Sequence, residues 1–119
     1  MTLALDHIQI AIPAGGEGAA RAFWCAGLGL VEIAKPDALK ARGGLWLALN
    51  GAELHLGVEP DFAPARKAHP GFAVIDIDTV AARIEALGQS PRWDGTIENR
   101  RRFFAEDPFG NRLEFLERD

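Results

Sequence analysis

The chain has 119 residues, of which 48% are hydrophobic and 25% are charged, and its formal net charge is −4 at neutral pH. This composition is typical of a globular protein with a sizeable core, and the acidic balance argues against nucleic-acid binding, which needs a basic surface. No apolar run reaches the ~20 residues of a membrane span, no signal peptide is expected, and the lone cysteine, Cys25, favours a reducing cytoplasm.

The first part of the chain predicts the order strand, helix, strand, strand, strand. Residues 3–12 alternate between apolar and polar side chains, which is typical of a β-strand. Residues 17–28 combine alanines of high helix propensity with an apolar stripe. Three more strands are predicted over residues 30–34, 45–49 and 52–58, the last two joined by Asn50-Gly51, a strong hairpin signal.

The second part repeats this order after a proline-rich, charged linker over residues 59–68. A strand is predicted over residues 69–75, and a helix follows with Asp78 as its N-cap and Gly88 at its end. The remaining strands are predicted over residues 90–94, 101–105 and 112–116. The chain is therefore predicted to be one α+β domain over residues 1–119, built from two βαβββ modules at about 3–58 and 69–117.

The last strand follows a predicted tight turn, Asp107-Pro108-Phe109-Gly110-Asn111. Pro108 fixes its own φ, and Gly110 tolerates the positive φ that a reversal often needs. After the turn, Leu113 and Phe115 share one face of the strand, while Arg112 and Glu114 share the other.

Four metal-ligand side chains occupy equivalent strands of the two modules. His7 and His55 lie on the first and last strands of module one, and His69 and Glu114 on those of module two. Each lies opposite the bulky apolar face of its strand, so a pseudo-twofold axis would bring all four toward one point. Because burying unpaired imidazole and carboxylate groups is costly, the pattern favours one divalent cation, namely zinc, nickel, cobalt, manganese or iron. The alternative is that these are ordinary hydrogen-bonded histidines beside a wet groove.

Four further residues are candidate substrate contacts. Gln9 shares the face of His7. Within the run Arg100-Arg101-Arg102 the side chains alternate, so that Arg101 or a neighbour is a candidate to bind a carboxylate or phosphate group. Trp46 and Trp93 are candidates to line the site, with ordinary packing as the alternative.

The sequence resembles the vicinal oxygen chelate superfamily, the glyoxalase, bleomycin resistance and extradiol dioxygenase group. Four stretches carry the resemblance: Leu5-Asp6-His7-Ile8-Gln9-Ile10-Ala11-Ile12, Arg21-Ala22-Phe23-Trp24-Cys25-Ala26-Gly27-Leu28-Gly29-Leu30, His69-Pro70-Gly71-Phe72-Ala73-Val74 and the segment 107–117.

The resemblance implies paired βαβββ modules that curl into an open cup around a divalent metal, with His7, His69 and Glu114 in the first, third and fourth ligand slots. The second slot falls at His55, where related enzymes often carry Glu or Gln, and a two-residue change of register would place Glu53 there instead. A homodimer is also implied.

The expected function is a metal-dependent enzyme of the glyoxalase-like type. It would act on a small vicinal-oxygen substrate by lyase or isomerase chemistry through a metal-chelated enediolate, with Glu114 as a ligand and a candidate proton-transfer base. Three alternatives stay open: a fosfomycin-type thiol transferase, an extradiol-type dioxygenase, and a metal-free protein that binds and sequesters an antibiotic or toxin.

Overall fold

Each half of the chain folds around its own four-stranded mixed sheet. The structure is a computed structural model that describes residues 1–118, and the chain divides into two compact units between Ala63 and Pro64. Both units have the order βαβββ, apart from one additional short helix in the first. The α+β fold with two βαβββ modules is therefore confirmed.

The first unit places its opening strand beside its last one. Its strands are β1 (His7–Ile12), β2 (Glu32–Ile33), β3 (Leu45–Ala48) and β4 (Glu53–Val58), in the spatial order β1-β4-β3-β2. Strands β1 and β4 are parallel and the other pairs are antiparallel. Helix α1 (Glu17–Arg21) continues into a π-helical turn, Ala22–Gly27, and α2 (Asp37–Lys40) precedes β3. The buried core includes Ile12, Phe23, Trp24, Leu45, Leu47, Leu54 and Leu56.

The second unit repeats this topology. Its strands are β5 (Gly71–Val74), β6 (Arg92–Trp93), β7 (Arg102–Glu106) and β8 (Arg112–Glu117), in the order β5-β8-β7-β6, with β5 parallel to β8. Helix α3 (Ile77–Ala86) packs against β7 and β8. The buried core includes Ile77, Ala81, Ile84, Phe103, Ala105, Leu113 and Phe115.

Besides several shorter strands, two differences from the sequence-based expectations concern a helix cap and the position of His69. The N-cap of α3 is Asp76, not Asp78, because the Asp76 carboxylate accepts hydrogen bonds from both the backbone N–H and the hydroxyl of Thr79. Strand β5 begins at Gly71, so His69 lies just before the strand, and the ladder starts where the Pro70 carbonyl accepts the Glu114 N–H.

The turn before β8 is organised by a buried carboxylate. Asp107 accepts hydrogen bonds from the backbone N–H groups of Phe109 and Asn111 and from the Asn111 side-chain amide. Gly110 has a φ of 90°, which glycine adopts without steric cost. Burial raises the pKa of Asp107, although these three donors oppose the shift. The predicted turn is present, and β8 starts directly after it.

No helix within residues 1–118 is long and apolar enough to cross a membrane.

Candidate functional site

Three stacked rings form the centre of the ligand-bearing face in the first unit. The Trp46 and His55 ring centroids lie 3.9 Å apart with an interplanar angle of 2°, and His7 stacks on the other side of His55 at 4.2 Å. The sheet register explains the stack, since Trp46 is directly opposite His55 across β3 and β4. The His55 ring is consequently buried, although it is polar.

Hydrogen bonds orient the rings of His7 and His55. Nδ1 of His7 lies 2.8 Å from the Asp6 carboxylate, and Nε2 of His55 lies 2.9 Å from Oε1 of Glu53. Because an ionised carboxylate only accepts, the facing ring nitrogen must donate. In the neutral rings this leaves Nε2 of His7 and Nδ1 of His55 with free lone pairs, which is the form in which histidine binds a metal.

The stack forms one wall of an open pocket of about 690 Å³ in the first unit. Gln9 also lines this pocket and packs on Gly57, where an added Cβ would lie 2.9 Å from the Gln9 amide. Two cations, Lys35 and Arg42, and two carboxylates, Asp6 and Glu53, also line it. The structure therefore brings together the predicted residues Gln9, Trp46, His7 and His55 around one cavity.

In the second unit, Glu114 is held by two partners. Its Oε1 lies 2.9 Å from Nε2 of His69, and its Oε2 accepts a hydrogen bond of 3.0 Å from the Arg102 guanidinium. Nδ1 of His69 lies 2.9 Å from the Lys67 carbonyl, so that both ring nitrogens face acceptors.

Glu114 is ionised at neutral pH. Burial raises its pKa, but the hydrogen bonds from His69 and Arg102, together with their charges, outweigh burial and hold the pKa below its usual value. The carboxylate is thus available as a ligand or as a proton acceptor.

The arginine next to Glu114 is Arg102, the neighbour of the predicted Arg101. Arg101 instead makes a double hydrogen bond with Asp78 and lies over the Trp93 ring. Trp93 packs on the core residue Phe103. The signal that identifies Arg102 is the register: Phe104 lies opposite Glu114, and Arg102 is two residues before Phe104 on the same face.

The pairing of strands within each sheet also indicates which residue occupies the predicted second ligand position. His55 lies opposite Gln9, two residues beyond His7, and Glu114 lies opposite Gly71, two residues beyond His69. His55 therefore occupies in the first sheet the position that Glu114 occupies in the second. Glu53, directly opposite His7, is bound to the His55 ring.

The donor chemistry of these residues fits a divalent cation. Imidazole nitrogen and carboxylate oxygen suit zinc and its neighbours. In the second unit, one donor of each kind faces the other: His69 Nε2 and Glu114 Oε1 lie 2.9 Å apart, at hydrogen-bond distance. Across residues 1–118, however, no three His, Cys, Asp or Glu side chains are arranged around one point. The parallel rings of His7 and His55 must also turn before both face one ion.

Comparison with known proteins identifies the family. The sequence profile of the Glyoxalase/Bleomycin resistance protein/Dioxygenase superfamily matches residues 4–115. The chain belongs to this superfamily. No curated protein matches the chain. A glyoxalase family protein from Bacillus anthracis is 42% identical, with a TM-score of 0.94 over 100% of this chain and 98% of the other.

More distant superfamily structures include both an enzyme and a binding protein. Lactoylglutathione lyase from Agrobacterium tumefaciens is 21% identical, with a TM-score of 0.73 over 96% of this chain and 92% of its own. An antibiotic binding protein from Streptomyces sp. CB03234 is 20% identical, with a TM-score of 0.73 over 99% and 100% of the two chains. At these identities the likeness shows the fold alone.

Proposed function

We propose that this superfamily member is a divalent-metal-dependent enzyme of the glyoxalase-like type, acting on a small vicinal-oxygen substrate by lyase or isomerase chemistry. The observation that carries the proposal is the separation of 2.9 Å between His69 Nε2 and Glu114 Oε1, with His69 Nδ1 turned to a backbone carbonyl. A hydrogen bond from the second ring nitrogen to protein oxygen is the usual support of a metal-binding histidine.

In this proposal the ligands are His7, His55, His69 and Glu114, and the native metal is zinc, nickel, cobalt, manganese or iron. The cation, when bound, would act as a Lewis acid toward two neighbouring substrate oxygens. Glu114, when its carboxylate is free of the cation, would take the proton from the carbon that bears a substrate hydroxyl and return it to the adjacent carbonyl carbon, while the hydroxyl proton passes to the former carbonyl oxygen. Arg102 holds Oε2 of that carboxylate in place.

The walls of the first-unit pocket would orient the substrate. Gln9 would offer an amide to a substrate oxygen, and the stacked pair of half-buried Trp46 and buried His55 would shield one side of the substrate from water. A fosfomycin-type thiol transferase and an extradiol-type dioxygenase would use the same kind of site. The cytoplasm and a homodimer are proposed as the setting and the assembly.

The aromatic stack favours one alternative from another class, a metal-free protein that sequesters an antibiotic or toxin. The indole of Trp46, which lines the pocket beside His55 and His7, would give a flat ligand an aromatic contact. In that case His69 and Glu114 would only form an ion pair.

The deciding experiment is metal analysis of purified protein and of protein dialysed against each candidate cation. We expect close to one equivalent of a transition metal, with loss of most of it in His7→Ala and Glu114→Ala. Glu98→Ala removes an exposed carboxylate that lies outside both ligand pairs and serves as the matched control. Folded wild-type protein that neither carries nor takes up metal would exclude the enzyme proposal and leave the binding protein.

Two additional variants distinguish the candidates for the second slot. If His55 is the ligand, His55→Ala loses metal, whereas Glu53→Ala weakens the affinity by about 10–100-fold, as loss of an orienting partner does. The reverse order of effects would make Glu53 the ligand. Full metal content with lost turnover in His55→Ala would instead make His55 a catalytic base.

A further inference from the structure

Three arginines surround a second pocket, in the second unit. The cavity measures about 400 Å³ and is lined by Arg66, Arg92 and Arg112, with Glu106 and the turn residue Gly110. Three cations and one carboxylate leave this pocket with an excess of positive charge.

Protein carboxylates do not neutralise these arginines. Within residues 1–118, none of Arg66, Arg92 and Arg112 forms an ion pair, whereas Arg101 and Arg102 each bind an aspartate or glutamate. Nε of Arg112 is buried and has no hydrogen-bond partner among the described residues. A buried donor without an acceptor is unfavourable, and a ligand oxygen that accepts from Nε would remove that penalty.

Strand pairing holds the backbone of part of this pocket in place. The Arg112 guanidinium stacks on Phe104, 4.4 Å from the ring centroid. Arg112 lies opposite Glu106, and Arg92 lies opposite Phe104, in the register of the sheet. Gly110 lies against Pro64, since an added Cβ would be 3.4 Å from the proline ring. The sheet therefore fixes the backbone positions of Arg92 and Arg112. The contact between Gly110 and Pro64 lies two residues before Arg66.

We propose that this pocket binds a phosphate-type dianion. A guanidinium group presents a planar pair of donors that matches two oxygens of phosphate, and three arginines facing one glutamate balance a charge near −2. Arg112 is two residues before Glu114 on the same face of β8. The next step rests on the proposed function: the substrate is then a small organic phosphate whose phosphate group lies in this pocket and whose other end extends toward Glu114.

The test is calorimetric titration of the full-length protein, as isolated and again after chelation of metal, with inorganic phosphate at constant ionic strength. Acetate serves as the monoanion control. We expect phosphate to bind in both preparations, more tightly than acetate, and Arg112→Gln to weaken binding by about tenfold or more, as loss of a charge-assisted hydrogen bond does. Arg92→Gln, at an exposed position, should also weaken it, and Glu106→Gln should strengthen it.

Arg83→Gln is the matched control, because it removes one positive charge from helix α3 outside the pocket. Wild-type protein that does not bind phosphate, or equal effects of Arg112→Gln, Arg92→Gln and Arg83→Gln, would overturn the proposal. Phosphate binding that disappears after chelation would also overturn it, because the ligand would then be a metal site. A pocket that binds phosphate in a protein that takes up no metal would leave this proposal standing and remove the proposed function.

Discussion

At the residue scale, position 44 accommodates glycine but no residue with a Cβ. Its φ is 84°, and a Cβ would lie 2.1 Å from the Leu56 carbonyl oxygen. Gly51, in the hairpin turn between β3 and β4, has nearly the same φ of 83° but has open space around the missing Cβ. A side chain at either position would be held in the same unfavourable φ, but only a side chain at position 44 would also clash with a neighbouring backbone. The two positions can therefore be compared directly.

We expect Gly51→Ala to cost about 1–2 kcal/mol, the usual penalty of a left-handed conformation with a Cβ. Gly44→Ala should cost at least about 4 kcal/mol, because strand β4 would also have to move away from the new methyl group. Urea unfolding of both variants measures the difference. Equal losses would mean that the backbone around Gly44 yields without cost.

At the element scale, the N-cap of α3 links a side chain to the pH dependence of stability. Hydrogen bonds from the Thr79 hydroxyl and then its backbone N–H hold the pKa of Asp76 below the usual 3.8. Since the folded state favours the ionised carboxylate, this stabilisation is full above pH 3.8 and is lost as the pH falls through the lowered pKa.

Asp76→Ala should therefore lower the melting temperature at neutral pH, and the difference from wild type should shrink in acid below pH 3.8. Asp78→Ala is the control, because Asp78 only forms an exposed pair with Arg101, and such pairs contribute little. Thermal unfolding followed by circular dichroism between neutral pH and the acid range gives both curves. A larger loss for Asp78→Ala would contradict the assignment of the cap.

The same elements show how far a sequence predicts a structure. The alternation of apolar and polar residues and the turn residues were sufficient to predict both βαβββ modules. Strand faces and the Asn50-Gly51 turn can each be read from a short stretch of sequence. The cap was misplaced because two aspartates stand two residues apart, and only the Thr79 contact separates them. Arg102 was not distinguished from Arg101 because facing depends on the pairing of β7 with β8, which a single strand does not reveal.

At the scale of the whole molecule, each unit exposes large apolar side chains. Leu3 and Leu5 are 85% and 67% exposed, and Ile75 is 83% exposed. Contiguous apolar surface marks sites of association, so the proposed homodimer predicts that some of these side chains lie in its interface. Sedimentation velocity should give twice the chain mass of 12.9 kDa at micromolar concentration, and Leu5→Glu should shift the equilibrium toward monomer. A monomer at every concentration would contradict this assembly.

The number of residues between the turn and Glu114 decides which face of strand β8 carries this carboxylate. Asp107 fixes where the strand starts, and every side chain after it alternates between the core and the opposite face. One residue inserted between Asn111 and Glu114 would direct Glu114 into the core and bring Phe115 to the polar face. Two inserted residues would restore the facing but move Glu114 away from His69. The proposed chemistry therefore depends on the length of this turn and strand as well as on the carboxylate of Glu114.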